Sequence, residues 1–440
     1  MTSSSDWRDA LAEVNQVGCC SRPVRLRGIL LDPRTGALEA SGILVPCKDR
    51  RAAVCPSCSR LYQADAWQLV AAGLRGGKGI TPDVVFHPQL FVTLTAPSFG
   101  PVHSRSHSKQ TSRPCRPRRD GTRCPHGVSL SCRIHHVDTD PRLGEPLCGR
   151  CFDYPGAVLW NAHVPQLWER TSSELYRAVA KAGGISTTEL RAAARLSYMK
   201  VVEFQRRGLV HLHVVVRADG RAGPDEAPPP WLDAPLLASC IHDAVSRAGV
   251  AFPAGGGWDD GRATWGSEID IRELLPHGGA EGGPAGEAGK AIAAYIAKYA
   301  TKTADGSATL AHPIRVRAQL EHLNLRPHIT QMVRTAWQLG ASKELAHLAL
   351  RAHAHTLGYT GQFSSKSLCF TTTFGALRGA RALYVRGEVE PDPRYEGEWR
   401  YAGRGYEHPD AARLADSLFE AALAARKALD TTSTATSTRP

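Results

Sequence analysis

Two tyrosines and two lysines recur at helical spacing in residues 291–302, AIAAYIAKYATK. Tyr295 and Tyr299 are four residues apart, and Lys298 and Lys302 each follow one of them by three. At 3.6 residues per turn these side chains share one face of a helix, and no glycine or proline interrupts it. Phenol and ammonium groups suit attack on an anionic group better than they suit a core. The same pattern occurs on ordinary half-exposed helices, so its meaning depends on the rest of the chain.

A pair of histidines lies in the apolar run VHLHVVVR. His211 and His213 would project from one face of a strand, because side chains alternate with a period of two. Two imidazoles on a rigid strand can bind a divalent ion. A hairpin turn at 207–208 would place Glu203 nearly opposite His213, and Gln205 nearly opposite the other histidine. A carboxylate suits Mg²⁺ or Mn²⁺ better than an amide does, so Glu203 is the predicted third ligand.

Cysteines are concentrated in the first part of the chain, which holds ten of the 12. C-x-x-C pairs at Cys55 and Cys58, and at Cys148 and Cys151, each present two thiolates to one ion. Further thiols and imidazoles accompany these pairs: Cys19, Cys20, Cys47, Cys115, Cys124, His126, Cys132, His135 and His136. The pattern predicts one or two structural zinc ions, with unligated buried thiols as the alternative. The spacing leaves the grouping of the ligands open.

The 440-residue chain has 54 Lys and Arg against 42 Asp and Glu, a formal net charge of +12. This excess favours a polyanionic partner, nucleic acid or an anionic membrane. Between residues 100 and 136 eight basic residues accompany one acid, Asp120, in either a solvated loop or a DNA-contacting arm. Neither a transmembrane run nor a signal-peptide pattern is present. We therefore expect a soluble, cytoplasmic protein whose cysteines are thiols or metal ligands.

Hydrophobic periodicity predicts the elements that position these groups. Residues 90–95, LFVTLT, predict a buried strand, and residues 200–217 predict the histidine hairpin. A further strand is predicted within 265–274, and a glycine-rich linker at 278–289 precedes the tyrosine helix. Other helices are predicted at about 59–74, 158–182, 186–196, 235–248 and 410–428, and in the segments HITQMVRTAWQLG and ELAHLALRAHAHTLG.

The order of the motifs resembles that of the HUH-type rolling-circle endonucleases. A strand LFVTLT is followed by a His-hydrophobic-His strand and then by a Y-x-x-x-Y-x-x-K helix. Several longer segments are similar to the replication initiator proteins of actinobacterial rolling-circle plasmids: FVTLTAPSFGPVH, KVVEFQRRGLVHLHVVVR, AAYIAKYATK, MVRTAWQLG and KSLCFTTTFGALR. The similarity extends over roughly residues 40–380.

The resemblance implies an α+β fold with a ferredoxin-like antiparallel sheet and flanking helices. We expect a zinc-binding cysteine-rich part before the sheet and a helical part after it. The expected division is a cysteine-rich segment at 1–75, an endonuclease core at 76–305 with an insertion at about 100–152, a helical region at 306–428 and a disordered tail at 429–440.

The resemblance also implies roles for individual residues. His211 and His213 would be metal ligands, and Thr93 and Thr95 would lie in the first motif strand. A tyrosine directly followed by x-x-Lys is the nucleophile in related initiators, which matches Tyr299. The position four residues earlier is a glutamate in some relatives and a second tyrosine in others. Whether Tyr295 also cleaves DNA therefore stays open.

The implied activity is nicking of one strand at a plasmid origin. Attack by a tyrosine would form a 5′-phosphotyrosyl link, free a 3′-OH primer and later allow rejoining. Lys298 and Lys302 would lower the phenol pKa and hold phosphate oxygens. Single-stranded or extruded origin DNA, Mg²⁺ or Mn²⁺, and a host helicase and polymerase are the expected partners and cofactors. The alternatives are a two-tyrosine rolling-circle transposase and a zinc-containing DNA-binding regulator without catalysis.

Overall fold

A computed structural model of the chain describes residues 4–31, 37–107, 112–255, 261–274, 284–302, 309–386, 396–408 and 410–436. The α-helices are α1 Ser4–Gln16, α2 Pro56–Arg75, α3 Tyr154–Ala182, α4 Thr187–Ala193, α5 Ala234–Arg247, α6 Pro284–Tyr299, α7 Pro327–Leu339, α8 Phe374–Arg386 and α9 Ala411–Thr436. The strands are β1 Val24–Leu31, β2 Leu38–Val45, β3 Gln89–Thr95, β4 Ser106–His107, β5 Ser112–Arg113, β6 Ala194–Phe204, β7 Val210–Gly220, β8 Val250–Phe252, β9 Gly261–Ala263, β10 Ile269–Glu273, β11 Ser364–Lys366 and β12 Glu396–Arg404. The protein is α+β with antiparallel sheets, as predicted.

The chain forms two compact units. One is continuous, Ala66–Thr373, and the other combines Met1–Asp65 with Phe374–Pro440. The predicted boundaries at 75 and 305 divide the chain into consecutive segments. The two units instead group segments that pack together, so they do not coincide with the predicted division. No described helix is long and apolar enough to cross a membrane.

A five-stranded sheet organises the continuous unit, with strand order β10-β3-β7-β6-β11. Neighbouring strands are antiparallel throughout. Alternate side chains of the central strands, such as Leu94, Leu212 and Val214, are fully buried in the main core with residues of α3 and α5. The remaining side chains project from the opposite face, because successive residues of a strand alternate. That opposite face carries the predicted metal ligands.

Helix α6 carries the predicted tyrosine ridge. Its buried residues Ala293, Ile296 and Ala297 recur at the three- and four-residue spacing of an amphipathic helix, and Ala300, directly after the helix, is also buried. The small alanine side chains leave the larger residues of the helix on a different face. The helix begins at Pro284, so the second half of the predicted linker is helical, and residues 275–283 lie outside the described part.

The histidine hairpin is present with a register that differs from the predicted one. Glu203 pairs with His211 and not with His213, because residues 205–209 form a longer loop than the predicted turn. Arg207 holds this loop by donating to the carbonyls of Ala96 and Pro97 at 2.8 and 2.9 Å. Gly208 has a φ of +75°, which is unfavourable for a residue with a Cβ.

One predicted helix was wrong. The segment ELAHLALRAHAHTLG contains two short 3₁₀ turns, Ala346–Leu348 and Ala354–Thr356, and no α-helix. Each turn ends at a residue in the left-handed conformation, Ala349 with φ 47° and Leu357 with φ 53°. A left-handed residue interrupts the run of backbone hydrogen bonds that an α-helix requires.

Residues 306–428, predicted as a helical region, also contain two strands, β11 and β12. β11 joins the central sheet beside β6, and β12 pairs with β1 in a three-stranded sheet of order β12-β1-β2. Helix α9 runs through Thr436, into the predicted disordered tail, and residues 437–440 lie outside the described part. The unit that contains both chain ends is further held by α1 and α9, where Ala10 and Val14 pack against Ala411.

Candidate metal and tyrosine site

The hairpin brings three possible ligands together on the face opposite the main core. Ligand atoms of Glu203, His211 and His213 all lie within 4.8 Å of one another. The carboxylate Oε2 of Glu203 is 2.9 Å from Nε2 of His213. Two imidazoles and one carboxylate are a donor set that divalent metal ions accept, and three protein ligands leave coordination positions for a substrate. The chemistry of the residues therefore fits a divalent ion.

Two threonines of β3 orient the histidines. Thr93 Oγ1 lies 3.2 Å from Nδ1 of His213, and Thr95 Oγ1 lies 3.1 Å from Nε2 of His211. If Nδ1–H of His213 donates to Thr93, the lone pair of Nε2 faces Glu203 and is free for a metal ion. The antiparallel register places each threonine directly opposite its histidine. Strand β3 thus supplies the hydroxyl groups that fix the imidazole rings.

Both tyrosines of α6 face this cluster. The hydroxyl of Tyr295 is 3.2 Å from Nε2 of His213, and its ring packs edge-on against Phe91 at 5.8 Å between centroids. The ring of Tyr299 lies 4.7 Å from that of Tyr295 and 5.5 Å from that of His213. The side chain of Tyr295 is 37% exposed, so a ligand can reach it from solvent. The helix and the hairpin therefore form one site.

The electrostatics of the site favour neutral side chains. Burial, reinforced by His213, lowers the pKa of His211 to about 4, which keeps this imidazole neutral at pH 7. Burial is also the main cause that raises the pKa of Tyr295, with Tyr299 adding to it. Burial and the Glu203 carboxylate raise the pKa of Tyr299. Each phenol therefore needs activation before it can act as a nucleophile.

The two lysines of the ridge lie next to Tyr299. Nζ of Lys302 is 4.2 Å from the centroid of the Tyr299 ring, and Nζ of Lys298 is 5.7 Å from it. Burial lowers the pKa of Lys302, and Glu203 opposes that shift. The pKa of Tyr299 is raised despite these cations, so the predicted lowering by the lysines is not seen in this arrangement. Both ammonium groups remain exposed for contact with phosphate.

Among the described residues, three further groups of four side chains could each hold a structural zinc ion. The Cys₄ cluster consists of Cys20, Cys47, Cys55 and Cys58. The Cys₂His₂ cluster consists of His103, Cys115, Cys132 and His136. The Cys₃His cluster consists of Cys124, His126, Cys148 and Cys151. Each C-x-x-C pair thus stays together, while Cys124 and Cys132, both predicted ligands, belong to different clusters.

The spacing within these clusters fits tetrahedral zinc. Zn–S bonds of about 2.3 Å imply sulfur atoms about 3.8 Å apart. Sγ of Cys55 and Sγ of Cys20 are 3.8 Å apart. In the Cys₂His₂ cluster, Nε2 of His136 lies 3.5 Å from Sγ of Cys132, which suits one nitrogen and one sulfur on the same ion. Nδ1 of His126 lies 3.7 Å from Sγ of Cys148 in the third cluster.

Comparison with known proteins gives the family. Residues 6–420 match the model of the family described as "Replication initiator protein, pSAM2". The chain belongs to this replication initiator family. A replication initiator protein from Streptomyces ambofaciens is 37% identical over 425 residues, which cover 91% of this chain and 86% of that protein. No solved structure matches the chain.

The initiator contains ligands that sequence reasoning did not identify. His103 of the Cys₂His₂ cluster was not identified as a ligand, because it lies 12 residues before Cys115, the next cluster member in the sequence. Cys20, Cys47 and His126 were visible as candidates but could not be grouped. Cys19 and His135 belong to none of the four clusters found among the described residues. Only the folded chain brings these ligand sets together.

Proposed function

We propose that the initiator nicks one strand of its plasmid origin by attack of a tyrosine of α6 on a phosphodiester. Tyr299 is the proposed first nucleophile and Tyr295 the second. The observation that carries this proposal is the position of both phenols beside the Glu203/His211/His213 cluster, with the Tyr295 hydroxyl 3.2 Å from His213. Two nucleophiles at one metal site suit two successive cleavages.

Each group of residues in the site has a different proposed role in this reaction. Mg²⁺ or Mn²⁺ held by Glu203, His211 and His213 would polarise the scissile phosphate and stabilise the charge that builds in the transition state. The exposed ammonium groups of Lys298 and Lys302 contact phosphate oxygens. Thr93 and Thr95 keep both imidazoles in the orientation that leaves a nitrogen available.

The bond changes balance without an external energy source. The phenolic oxygen forms a bond to phosphorus as the bond between phosphorus and the 3′-oxygen breaks. The phenol gives up one proton and the departing 3′-oxygen gains one. The phosphotyrosyl link retains the energy of the phosphodiester, so the strand can be rejoined by the reverse attack. The sequence contains no P-loop motif, in keeping with a reaction that needs no ATP.

The wider proposal follows from the family and the folded core. Residues 76–305 are proposed as an HUH-type endonuclease core of ferredoxin-like fold, supported by the antiparallel order of β10, β3, β7 and β6. The DNA partner is the plasmid origin, single-stranded or extruded, in the cytoplasm. The freed 3′-OH would serve a host polymerase, with a host helicase opening the duplex. Structural zinc in the three cysteine-containing clusters would stabilise the surrounding segments.

A covalent-adduct assay tests the nuclease proposal. Purified initiator is incubated with Mn²⁺ and labelled single-stranded origin DNA, and protein-linked DNA is separated under denaturing conditions. We expect Tyr299→Phe to abolish the first adduct and Tyr295→Phe to block a second cleavage. Tyr384→Phe serves as the control, since Tyr384 is an exposed tyrosine of α8. An adduct that survives the double Tyr295/Tyr299 substitution would overturn the proposal, and DNA binding without any nicking would favour a non-catalytic regulator.

A further inference from the structure

The loop of the histidine hairpin is in contact with a segment that contains no proposed ligand of the metal and tyrosine site. Residues 138–145, here called the brace, lie between the Cys₂His₂ cluster and the loop at 205–209. On the cluster side, Nδ1 of His136 is 2.6 Å from Oδ2 of Asp140. Because Nε2 of the same ring faces Cys132, the brace carboxylate fixes the orientation of a candidate zinc ligand.

A second connection joins the brace to the cluster through the backbone. The amide of Gly144 donates to the carbonyl of His103 at 2.9 Å, and the amide of His103 donates to the carbonyl of Glu145 at 2.8 Å. His103 is itself a member of the cluster. Both ends of the brace are therefore tied to cluster residues, one by a side chain and one by paired backbone groups.

The hairpin side of the brace is held by Arg206. Its guanidinium donates to the carbonyl of Asp140 at 3.3 Å and also to the carbonyl of Asp138. Gly144 lies directly against the backbone of Arg206, so that a Cβ at this position would overlap the Arg206 carbonyl group. This close approach, together with a φ of +86°, requires glycine at position 144.

The residue that precedes helix α7 contacts both the brace and the hairpin loop. Arg326, at the start of α7, donates to the carbonyl of Leu143 at 3.1 Å and to the carbonyl of Arg206 at 2.5 Å. The same guanidinium forms an ion pair of 2.9 Å with Glu145. One arginine thus binds the brace and the hairpin loop at the same time.

We propose that metal binding at the Cys₂His₂ cluster orders the brace, and that the brace positions the hairpin loop and with it Glu203 and His211. Arg206 and Asp140 are positioning residues, since neither belongs to the Glu203/His211/His213 ligand set. The loop follows Glu203 by one residue and precedes His211 by one, and these two residues pair across the hairpin. A displaced loop therefore shifts both ligands. The effect on nicking rests on the proposed function, whereas the effect on the loop does not.

The first test loosens the brace without touching either ligand set. Arg206→Met keeps the aliphatic stem and removes the donors, Arg206→Lys restores one donor, and Arg195→Met is the matched control from the other end of β6. Arg195 also donates to a backbone carbonyl, that of Arg191 at 2.9 Å. We expect Arg206→Met to speed hydrogen exchange of the Gln205 and Gly208 amides at least tenfold and to weaken Mn²⁺ binding roughly tenfold. Arg206→Lys should recover part of both.

The second test removes one ligand from each zinc-type cluster of the insertion in turn. Cys132→Ser should speed exchange of the loop amides, whereas Cys148→Ser, in the Cys₃His cluster, should leave them near the wild-type rate. Zinc content of each variant, measured by mass spectrometry, confirms that one ion has been lost. Equal effects of the two substitutions would overturn the proposal in favour of general stabilisation by the insertion.

The outcomes separate this proposal from the nuclease proposal. The role of the brace would be overturned if Arg206→Met had the same hydrogen-exchange rates in the loop and the same Mn²⁺ affinity as Arg195→Met. This test holds even if Cys132→Ser fails to fold. Loss of nicking in Tyr299→Phe alone carries no information on the brace. If the wild type binds no Mn²⁺ and forms no adduct, the nuclease proposal fails, and the exchange rates still decide whether the brace orders the loop.

Discussion

The two faces of the central sheet are built from alternate residues of the same strands, yet they do different work. Leu94, Leu212 and Val214 are fully buried in the main core, where they supply apolar burial. Their neighbours Thr95 and His211 belong to the candidate metal and tyrosine site. The two faces are separated only by the strand period of two, so a slip of one residue would exchange them. Folding stability and chemistry therefore depend on one register.

Both faces of the sheet bury charged side chains, and the surroundings differ: one face holds an ion pair and the other a single lysine. On the α6 side, Arg217 and Asp219 are fully buried and paired at 2.6 Å, with His87 and Ser197 also bound to the carboxylate. On the core side Lys200 is only 6% exposed, and burial lowers its pKa to about 8. A paired buried charge is tolerated, whereas a poorly solvated ammonium opposes folding. The predictions below test this contrast between the faces.

The largest expected effect is on the chemical face. His213→Ala removes a proposed metal ligand and its contacts with Glu203 and Tyr295. We expect nicking to fall roughly a thousandfold, equivalent to about 4 kcal/mol of transition-state stabilisation. Adduct formation rates with Mn²⁺ measure this, and calorimetry should show a melting temperature within a few degrees of wild type. Nicking that persists within tenfold of wild type would contradict the assigned ligand.

Substitution of Leu212, the neighbour of His213 on the core face, should reduce stability and leave metal binding intact. Leu212→Ala deletes a fully buried side chain, and we expect the free energy of unfolding to fall by about 3 kcal/mol. Urea denaturation measures the loss. At a temperature where the variant is still folded, its Mn²⁺ affinity should stay close to wild type. A loss of Mn²⁺ binding as large as that of His213→Ala would show that the faces are not separable.

Replacement of the buried Lys200 ammonium, which forms no direct ion pair among the described residues, should stabilise the protein. Lys200→Met keeps the length of the side chain and should raise the free energy of unfolding at pH 7 by roughly 2 kcal/mol. The folded-state pKa lies below the ordinary value, so the unfolded chain binds more protons between about pH 8 and 10.4. Wild-type stability should therefore rise relative to the variant across that range. Urea titrations at pH 7 and 10 check this, and a difference that does not change with pH would contradict the assigned cause.

The smallest effect is expected at the threonines that orient the histidines. Thr93→Val removes the hydroxyl bonded to His213 and keeps the branched shape. We expect about a tenfold loss of Mn²⁺ affinity, typical for the loss of a group that orients a metal ligand. Titration of Mn²⁺ by electron paramagnetic resonance measures it. Thr360→Val, at a threonine bonded to the Ala162 carbonyl, is the control and should leave the affinity unchanged.

Local patterns predicted the parts of this site that depend on local geometry. The period of two identified the face of His211 and His213, and the helical period identified the Tyr295 and Tyr299 ridge. The register of Glu203 was predicted wrongly because the loop length depends on Arg207 binding the end of a different strand. Such a contact leaves no trace in the spacing of the hairpin residues.

Local sequence patterns also could not predict contacts between residues that are far apart in the chain, because such contacts leave no trace in the spacing of neighbouring residues. The Cys₂His₂ cluster includes His103, which lies 12 residues from Cys115, the nearest other cluster member in the sequence. The pairing of β1 with β12 joins opposite ends of the chain, and neither strand indicates the identity of the other. The segment at 344–358 has helical periodicity, yet left-handed backbone at Ala349 and Leu357 breaks it into separate turns.

On the ribosome, the unit that combines Met1–Asp65 with Phe374–Pro440 can be completed only after the continuous unit has been synthesised. β1 and β2 emerge early, but β12, Glu396–Arg404, pairs with β1 only after the whole of Ala66–Thr373 has been made. Tyr406, which packs against the Cys₄ cluster and donates to the Cys20 carbonyl, arrives later still. Until then β1 has an unpaired edge, the kind of surface that recruits foreign strands. A chain truncated before β12 therefore carries the continuous unit together with an unpaired β1 edge, so the β12 segment is itself a condition for a non-aggregating initiator.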